Sequence, residues 1–123
     1  MVVEDDERFR AAVLDMLAEG GYSAVGFADG YEALARLSAT QPALVILDLV
    51  MPSMDGADFL ARLRATPGGA DLPVLILSGL GEGLLGAIDP AAADDEGIRG
   101  VVAKPVRYED LIARVEDIIG PPR

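Results

Sequence analysis

Histidine and cysteine are both absent from this chain of 123 residues. Without cysteine there is no thiol nucleophile, no zinc ribbon and no disulfide framework. Without histidine there is no Ser-His-Asp arrangement, no imidazole-bound zinc, no haem on a histidine ligand, and no phosphohistidine of the chain's own. Carboxylates, hydroxyls, amines and backbone groups must carry whatever chemistry remains. Long apolar runs are missing too. The longest, Ala43 to Leu47, is far too short to span a bilayer. No stretch reads as a secretory signal, so the expectation is a soluble, cytoplasmic domain with no membrane partner. Bases are scarce: 10 Lys and Arg against 21 Asp and Glu leave a formal charge of -11. That charge repels a phosphate backbone and argues against direct nucleic-acid binding. It suits solubility, a basic partner surface or a hard cation. A hydrophobic content of 51% argues against disorder. The length is that of one domain able to bury a core without staples.

Two apolar runs, Ala43 to Leu47 and Pro73 to Leu77, are nearly continuous rather than alternating. Strands buried on both faces read this way, and such strands belong to parallel sheets covered by helices. Weaker strand candidates are Met1 to Val3, Ala24 to Phe27 and Gly100 to Ala103. Helical periodicity lies between them. Phe9, Val13, Met16 and Leu17 share one face, and Gly20-Gly21 supplies a stop. Ala33, Leu34 and Leu37 mark a second helix, closed by Pro42. Phe59, Leu60 and Leu63 mark a third, closed by Pro67-Gly68-Gly69. Leu111, Ile112, Val115, Ile118 and Ile119 mark the last. Between Gly79 and Gly97 the chain is glycine-rich, and an irregular segment with a short helix from Asp89-Pro90 is expected there. The alternation of strand and helix predicts an α/β fold, a doubly wound parallel sheet with right-handed crossovers. Ligands of such a sheet sit beyond the carboxyl ends of its central strands.

Polar groups stand at those ends. Strand one runs into Glu4-Asp5-Asp6, strand three into Asp48, strand four into Ser78 and strand five into Lys104-Pro105. Carboxylates brought within a few Å repel and raise one another's pKa, so something must offset them. Mg²⁺ is the natural candidate, because it takes a few carboxylate oxygens and keeps several waters. Asp48 is then a candidate nucleophile, since an aspartate can form an acyl phosphate. Ser78 and Lys104 are placed to hold phosphoryl oxygens. Each residue alone also has an ordinary reading, as a turn, a helix cap or a solvated first turn. Their joint placement at strand ends is what points to a site.

The runs Val2-Val-Glu-Asp-Asp6, Leu47-Asp-Leu-Val-Met-Pro-Ser-Met-Asp-Gly56, Leu77-Ser-Gly79 and Ala103-Lys-Pro105 resemble the response-regulator receiver domains (CheY-like) of two-component signalling. The resemblance covers almost the whole chain. It implies a flavodoxin-like, five-stranded parallel sheet in the order 2-1-3-4-5 with about five helices, a receiver domain over 1–119, and a tail or linker start over 120–123. It implies that Asp48 is the phosphoacceptor, that Asp5 holds Mg²⁺ (or Mn²⁺) directly, and that Glu4 reaches the ion through water. Asp48 itself and the backbone carbonyl of Val50 complete that set. Asp6 takes over if the register slips by one; Arg10, where the family's first helix often carries Arg, favours the register chosen. Ser78 corresponds to the family's hydroxyl residue, Gly79 leaves the phosphoryl path open, and Lys104 salt-bridges the phosphoryl oxygen. Lys104-Pro105 is implied to be cis. The implied partners are a sensor histidine kinase or a histidine phosphotransfer protein, and an output domain or target protein.

Three features depart from the family pattern. Val101 stands where an aromatic switch residue is usual, and reads as a simple strand residue. Ser78 and Lys104 are 26 positions apart, a few more than is typical, and the extra residues fall in the glycine-rich segment. Strand one has only three residues before Glu4. Two alternatives stay open. One is a degenerate receiver that only docks a partner. The other is a haloacid-dehalogenase-like phosphatase, which needs a second Asp two residues after the first, where this chain has Val50. Gly81 to Gly86 fits G-x-G-x-x-G but follows the fourth strand, not the first, and the next strand ends in Lys104 rather than an acid. Finally, Val50 and Leu80 flank the expected path of attacking water, and both are apolar. An acyl phosphate on Asp48 should therefore decay slowly, and Leu80→Glu should hasten that decay. Following loss of phosphoryl label tests this; equally fast decay in both proteins would refute it.

Overall fold

The computed structural model describes residues 1–48, 56–78 and 97–122, with Ser78 described by its backbone alone. Five strands lie in one parallel sheet: β1 (Val2–Val3), β2 (Gly26–Phe27), β3 (Val45–Asp48), β4 (Val74–Ser78) and β5 (Ile98–Ala103). Their order is β2-β1-β3-β4-β5, as the resemblance implies. Among the described residues the helices are α1 (Glu7–Glu19), α2 (Gly30–Ala35), α3 (Leu37–Thr40), α4 (Gly56–Ala65) and α5 (Tyr108–Ile119). None is long and apolar enough to cross a membrane.

The continuous apolar runs have a direct cause. Alternate residues of a strand point to opposite faces, and here both faces are covered. Val3, Val45, Leu47, Val74 and Ile76 pack into one cluster with Leu37 of α3 and Phe59, Leu60 and Leu63 of α4. Val2, Ile46, Leu75, Leu77 and Val102 pack into the other with Val13 and Leu17 of α1 and Leu111 and Val115 of α5. The sheet is thus wound on both sides, with α1 and α5 on one face and α2, α3 and α4 on the other.

Several boundaries differ from the sequence reading. The second helix breaks in two at Arg36, whose φ of −98° and ψ of 0° fall outside the helical well. Its second piece ends at Gln41, in the left-handed region at φ 46°, one residue before Pro42. A left-handed residue is a common way to end a helix, and the Gln41 N–H bonds back to the Leu37 carbonyl. Strand β5 starts earlier than expected, at Ile98, because Val74 pairs with Ile98 before a register shift reaches Gly100. The helix expected from Asp89-Pro90 and the Gly81 to Gly86 motif lie outside the described residues.

Arg64 near the end of α4 ties that helix to the approach to β4. Its Nη1 donates to the carbonyl oxygens of Gly69 and Leu72, both at 2.7 Å. Gly97, at φ 75°, leads into β5 beside it, and a Cβ there would lie 2.5 Å from Arg64 Nη2. One guanidinium therefore bonds the loop that leads into β4 and lies close against the turn into β5. Arg64→Ala should lower unfolding free energy by about 2 kcal/mol through the lost charge-assisted bonds, and Gly97→Ala by about 1–2 kcal/mol through its forbidden φ. Urea titration checks both; a change below about 0.5 kcal/mol in Arg64→Ala would remove its assigned role.

Candidate functional site

Parallel strands end on a common edge, and three of those ends supply charge. Glu4 directly follows β1, Asp48 is the last residue of β3, and Lys104 directly follows β5. β1 and β3 are neighbours, whereas β5 lies beyond β4. Two strand spacings are roughly 10 Å, so a group on β5 must be long to reach the acids. Lysine is. Its Nζ stands 3.3 Å from Glu4 Oε2 and 3.4 Å from Asp48 Oδ1. Lys104-Pro105 is a cis peptide bond. Lys104 is also the chain's only lysine; every other basic residue is arginine.

The acids form a tight group. Glu4, Asp5 and Asp48 each offer a carboxylate oxygen within 4.8 Å of the others. Glu4 and Asp48 are buried, at 1% and 5% exposure, while Asp5 faces solvent. Burial, then the nearby Asp48 carboxylate, pushes Glu4 up to about 7. A hydrogen bond from Asp6 N–H and the Lys104 ammonium pull it the other way. Two buried carboxylates sharing one ammonium are still a charge-rich pair. The donor set is all oxygen, with one acid open to solvent. That fits a hard divalent cation, which takes carboxylate oxygens and retains waters.

Asp6 does not join this group. Its side chain caps α1, accepting from Phe9 N–H at 3.0 Å. Glu4 and Asp5 thus lie in the acidic cluster, and Asp6 serves the helix. The same helical turn supports the site twice more. Arg10 Nη1 donates to the Glu4 carbonyl at 2.8 Å. Its stem lies over Gly26, where a Cβ would come within 2.9 Å of Arg10 Cδ. The Phe9 ring faces the Lys104 ammonium, 4.4 Å from centroid to Nζ. The sequence places Phe9 on the apolar face of α1, and nothing in its spacing points to Lys104. The Arg10 contact with Glu4 is likewise invisible before folding.

Ser78 closes β4, pairing with Ala103 of β5, so its backbone sits on the same edge. Val101 is a half-buried strand residue opposite Ile76, packed on the α4 side of the sheet. Pro105 follows Lys104 through the cis bond. Val50 and Gly79 lie outside the described residues, as do Leu80, Pro52 and Asp55.

The profile of a family described as the response regulator receiver domain matches residues 1–116. The chain belongs to that family. This receiver domain is 34% identical over 119 residues to Response regulator MprA of Mycolicibacterium vanbaalenii, across 97% of this chain and 49% of that one. The MprA of Mycobacterium avium is 33% identical, with 97% and 50% covered. The chain therefore spans about half the length of the curated relatives it matches. Its fold superposes on the chemotaxis response regulator CheY4 of Vibrio cholerae with a TM-score of 0.80 at 26% identity, covering 95% of this chain and 94% of that one. NtrX from Brucella abortus gives 0.81 at 27% identity, over 96% of this chain but 26% of the other.

Glu4 binds its proton more tightly folded, at about 7, than at its ordinary value of 4.5. The folded state therefore holds the extra proton between those values, and stability from this group is lost as pH rises through them. In metal-free protein, wild type should lose stability relative to Glu4→Gln as pH goes from about 5 to 7.5, by no more than about 1.4 kcal/mol per pH unit. Asp48, Asp5 and Lys104 surround Glu4 in both proteins. Denaturant titrations in chelator measure the difference, and a gap that stays flat with pH would refute the assignment.

Proposed function

We propose that this receiver domain accepts a phosphoryl group on Asp48 from the phosphohistidine of a sensor histidine kinase or histidine phosphotransfer protein. The observation that carries this reading is the buried Asp48 at a strand end, 3.4 Å from Lys104 and clustered with Glu4 and Asp5. These 123 residues hold no histidine, so a phosphohistidine donor lies outside the domain. An Asp48 carboxylate oxygen attacks phosphorus in line. The new P–O bond forms as the P–N bond to imidazole breaks, and the departing nitrogen takes up a proton. Transfer of this kind is limited by charge, so the protein's part is positioning and neutralisation.

Glu4, Asp5, Asp48 and the Val50 carbonyl are the residues we assign to Mg²⁺ (or Mn²⁺), which when bound supplies positive charge against the phosphoryl oxygens. Lys104 would release its hold on Glu4 and Asp48 and pair with a phosphoryl oxygen. Ser78 is assigned to a second oxygen, and Gly79 to an open path. The curated MprA relatives are about twice as long, and we assign this chain an output domain or target protein as the reader of its state. Residues 1–119 are then the receiver and 120–123 a tail or linker start. The setting is cytoplasmic, and no outside metabolite is turned over.

Incubation with acetyl phosphate and Mg²⁺, followed by intact mass, tests the reading. Wild type should gain one phosphoryl group. Asp48→Asn or a chelator should abolish the gain, and Lys104→Ala should slow it by about 100-fold or more, the usual scale for losing an electrostatic stabiliser. No gain in wild type would overturn the reading and leave a module that only docks.

A further inference from the structure

We propose that Phe9 is a positioning residue for Lys104. Its ring holds the ammonium over the acidic site without competing for it as a hydrogen-bond acceptor; the consequence for rate rests on the phosphoacceptor reading. The Lys104 Nζ lies 4.4 Å from the centre of the Phe9 ring. On its other sides it meets Glu4 at 3.3 Å and Asp48 at 3.4 Å. The lysine side chain is one-quarter exposed, so without the ring more of it would face water. An aromatic face attracts a cation through its quadrupole, and the attraction strengthens as water is removed. It has no preferred lone pair. The ammonium can therefore turn from the two carboxylates toward an incoming phosphoryl oxygen without first breaking a directional bond to Phe9.

The ring is itself fixed. Asp6, the N-cap of α1, accepts from the Phe9 backbone N–H at 3.0 Å. The side chain packs half-buried against the apolar cluster beneath α1 and α5. Phe9 is thus packed against the core while its ring meets the ammonium. A lysine reaching across β4 from β5 has many rotamers to lose. A fixed ring at its end reduces the fraction of time the amine spends away from the acids.

Phe9→Leu keeps the apolar packing and removes the π face, and Phe9→Tyr keeps both. Because the chain has a single lysine, a sample labelled with carbon-13 in lysine gives one set of ε-methylene signals. In wild type and Phe9→Tyr these protons should be shifted upfield by the ring; in Phe9→Leu they should return toward ordinary lysine values. This readout needs no phosphodonor and stands or falls apart from the phosphoacceptor reading. The second readout is the rate of phosphorylation by acetyl phosphate at saturating Mg²⁺. In that step an Asp48 oxygen–phosphorus bond forms while the acyl oxygen–phosphorus bond breaks and acetate leaves. Phe9→Leu should be slower by about three- to five-fold at unchanged cooperative melting, with Phe9→Tyr restoring most of the rate. A merely structural role would lower the melting temperature without moving the lysine signal. Unshifted ε-methylene protons in wild type, or a Phe9→Leu rate equal to wild type, would overturn the inference. A wild type that takes no phosphoryl group at all would instead refute the phosphoacceptor reading.

Discussion

Two buried carboxylates and one ammonium set the terms for the carboxyl edge of this domain. Glu4 and Asp48 sit side by side with almost no access to water. Removing charged groups from water is costly, and placing like charges together adds to the cost. Lys104 offsets part of both by standing within 3.4 Å of each. The offset is incomplete: Glu4 is still pushed up to about 7, with burial the larger cause and Asp48 the next. A site left with surplus negative charge is one that a divalent cation relieves. It is also one where the single ammonium is held only as firmly as two competing acids allow.

The sheet order is what makes the arrangement possible. With β1 beside β3, the two acids are neighbours across one strand spacing. With β5 beyond β4, the cation must arrive on a long stem. An arginine fork would bind carboxylates more rigidly, whereas an ammonium is a compact point charge free to turn. The core below supports this edge from both sides, because β1, β3 and β4 send alternate residues into the α1–α5 layer and the α2–α4 layer. The strand ends are held in register from both sides, so the charges they carry cannot drift apart cheaply.

The first turn of α1 does more than begin a helix. Asp6 caps it, Arg10 holds the Glu4 carbonyl from it, and Phe9 faces Lys104 from it. Glu4-Asp5-Asp6 therefore divides by role, two acids to the cluster and one to the helix. Arg10 in turn needs the bare backbone of Gly26 on β2 to lie where it does. A site assembled from β1, β3 and β5 is in this way tied also to α1 and β2.

Much of this was legible from local chemistry. The unbroken apolar runs at β3 and β4 announce strands covered on both faces, since an exposed face would require polar residues at every second position. The acids and the lysine directly after apolar runs announce a charged edge, because a parallel sheet gathers the carboxyl ends of its strands on one side. Other features were not legible. The break at Arg36 and the bonds from Arg64 into the loop before β4 carry no signal in the apolar pattern, and the early start of β5 depends on its pairing with β4. Phe9 is the sharpest case. Its spacing places it on an apolar helix face, and that is half of what it does. Its other contact exists only because a lysine 95 positions later comes over from the far side of β4. Local pattern determined the order of strands and helices and the charged edge, though not every boundary, because those depend on near neighbours and on burial. The tertiary structure alone decided which charges meet, which acid became a cap and which ring faces the ammonium, because those depend on strand order.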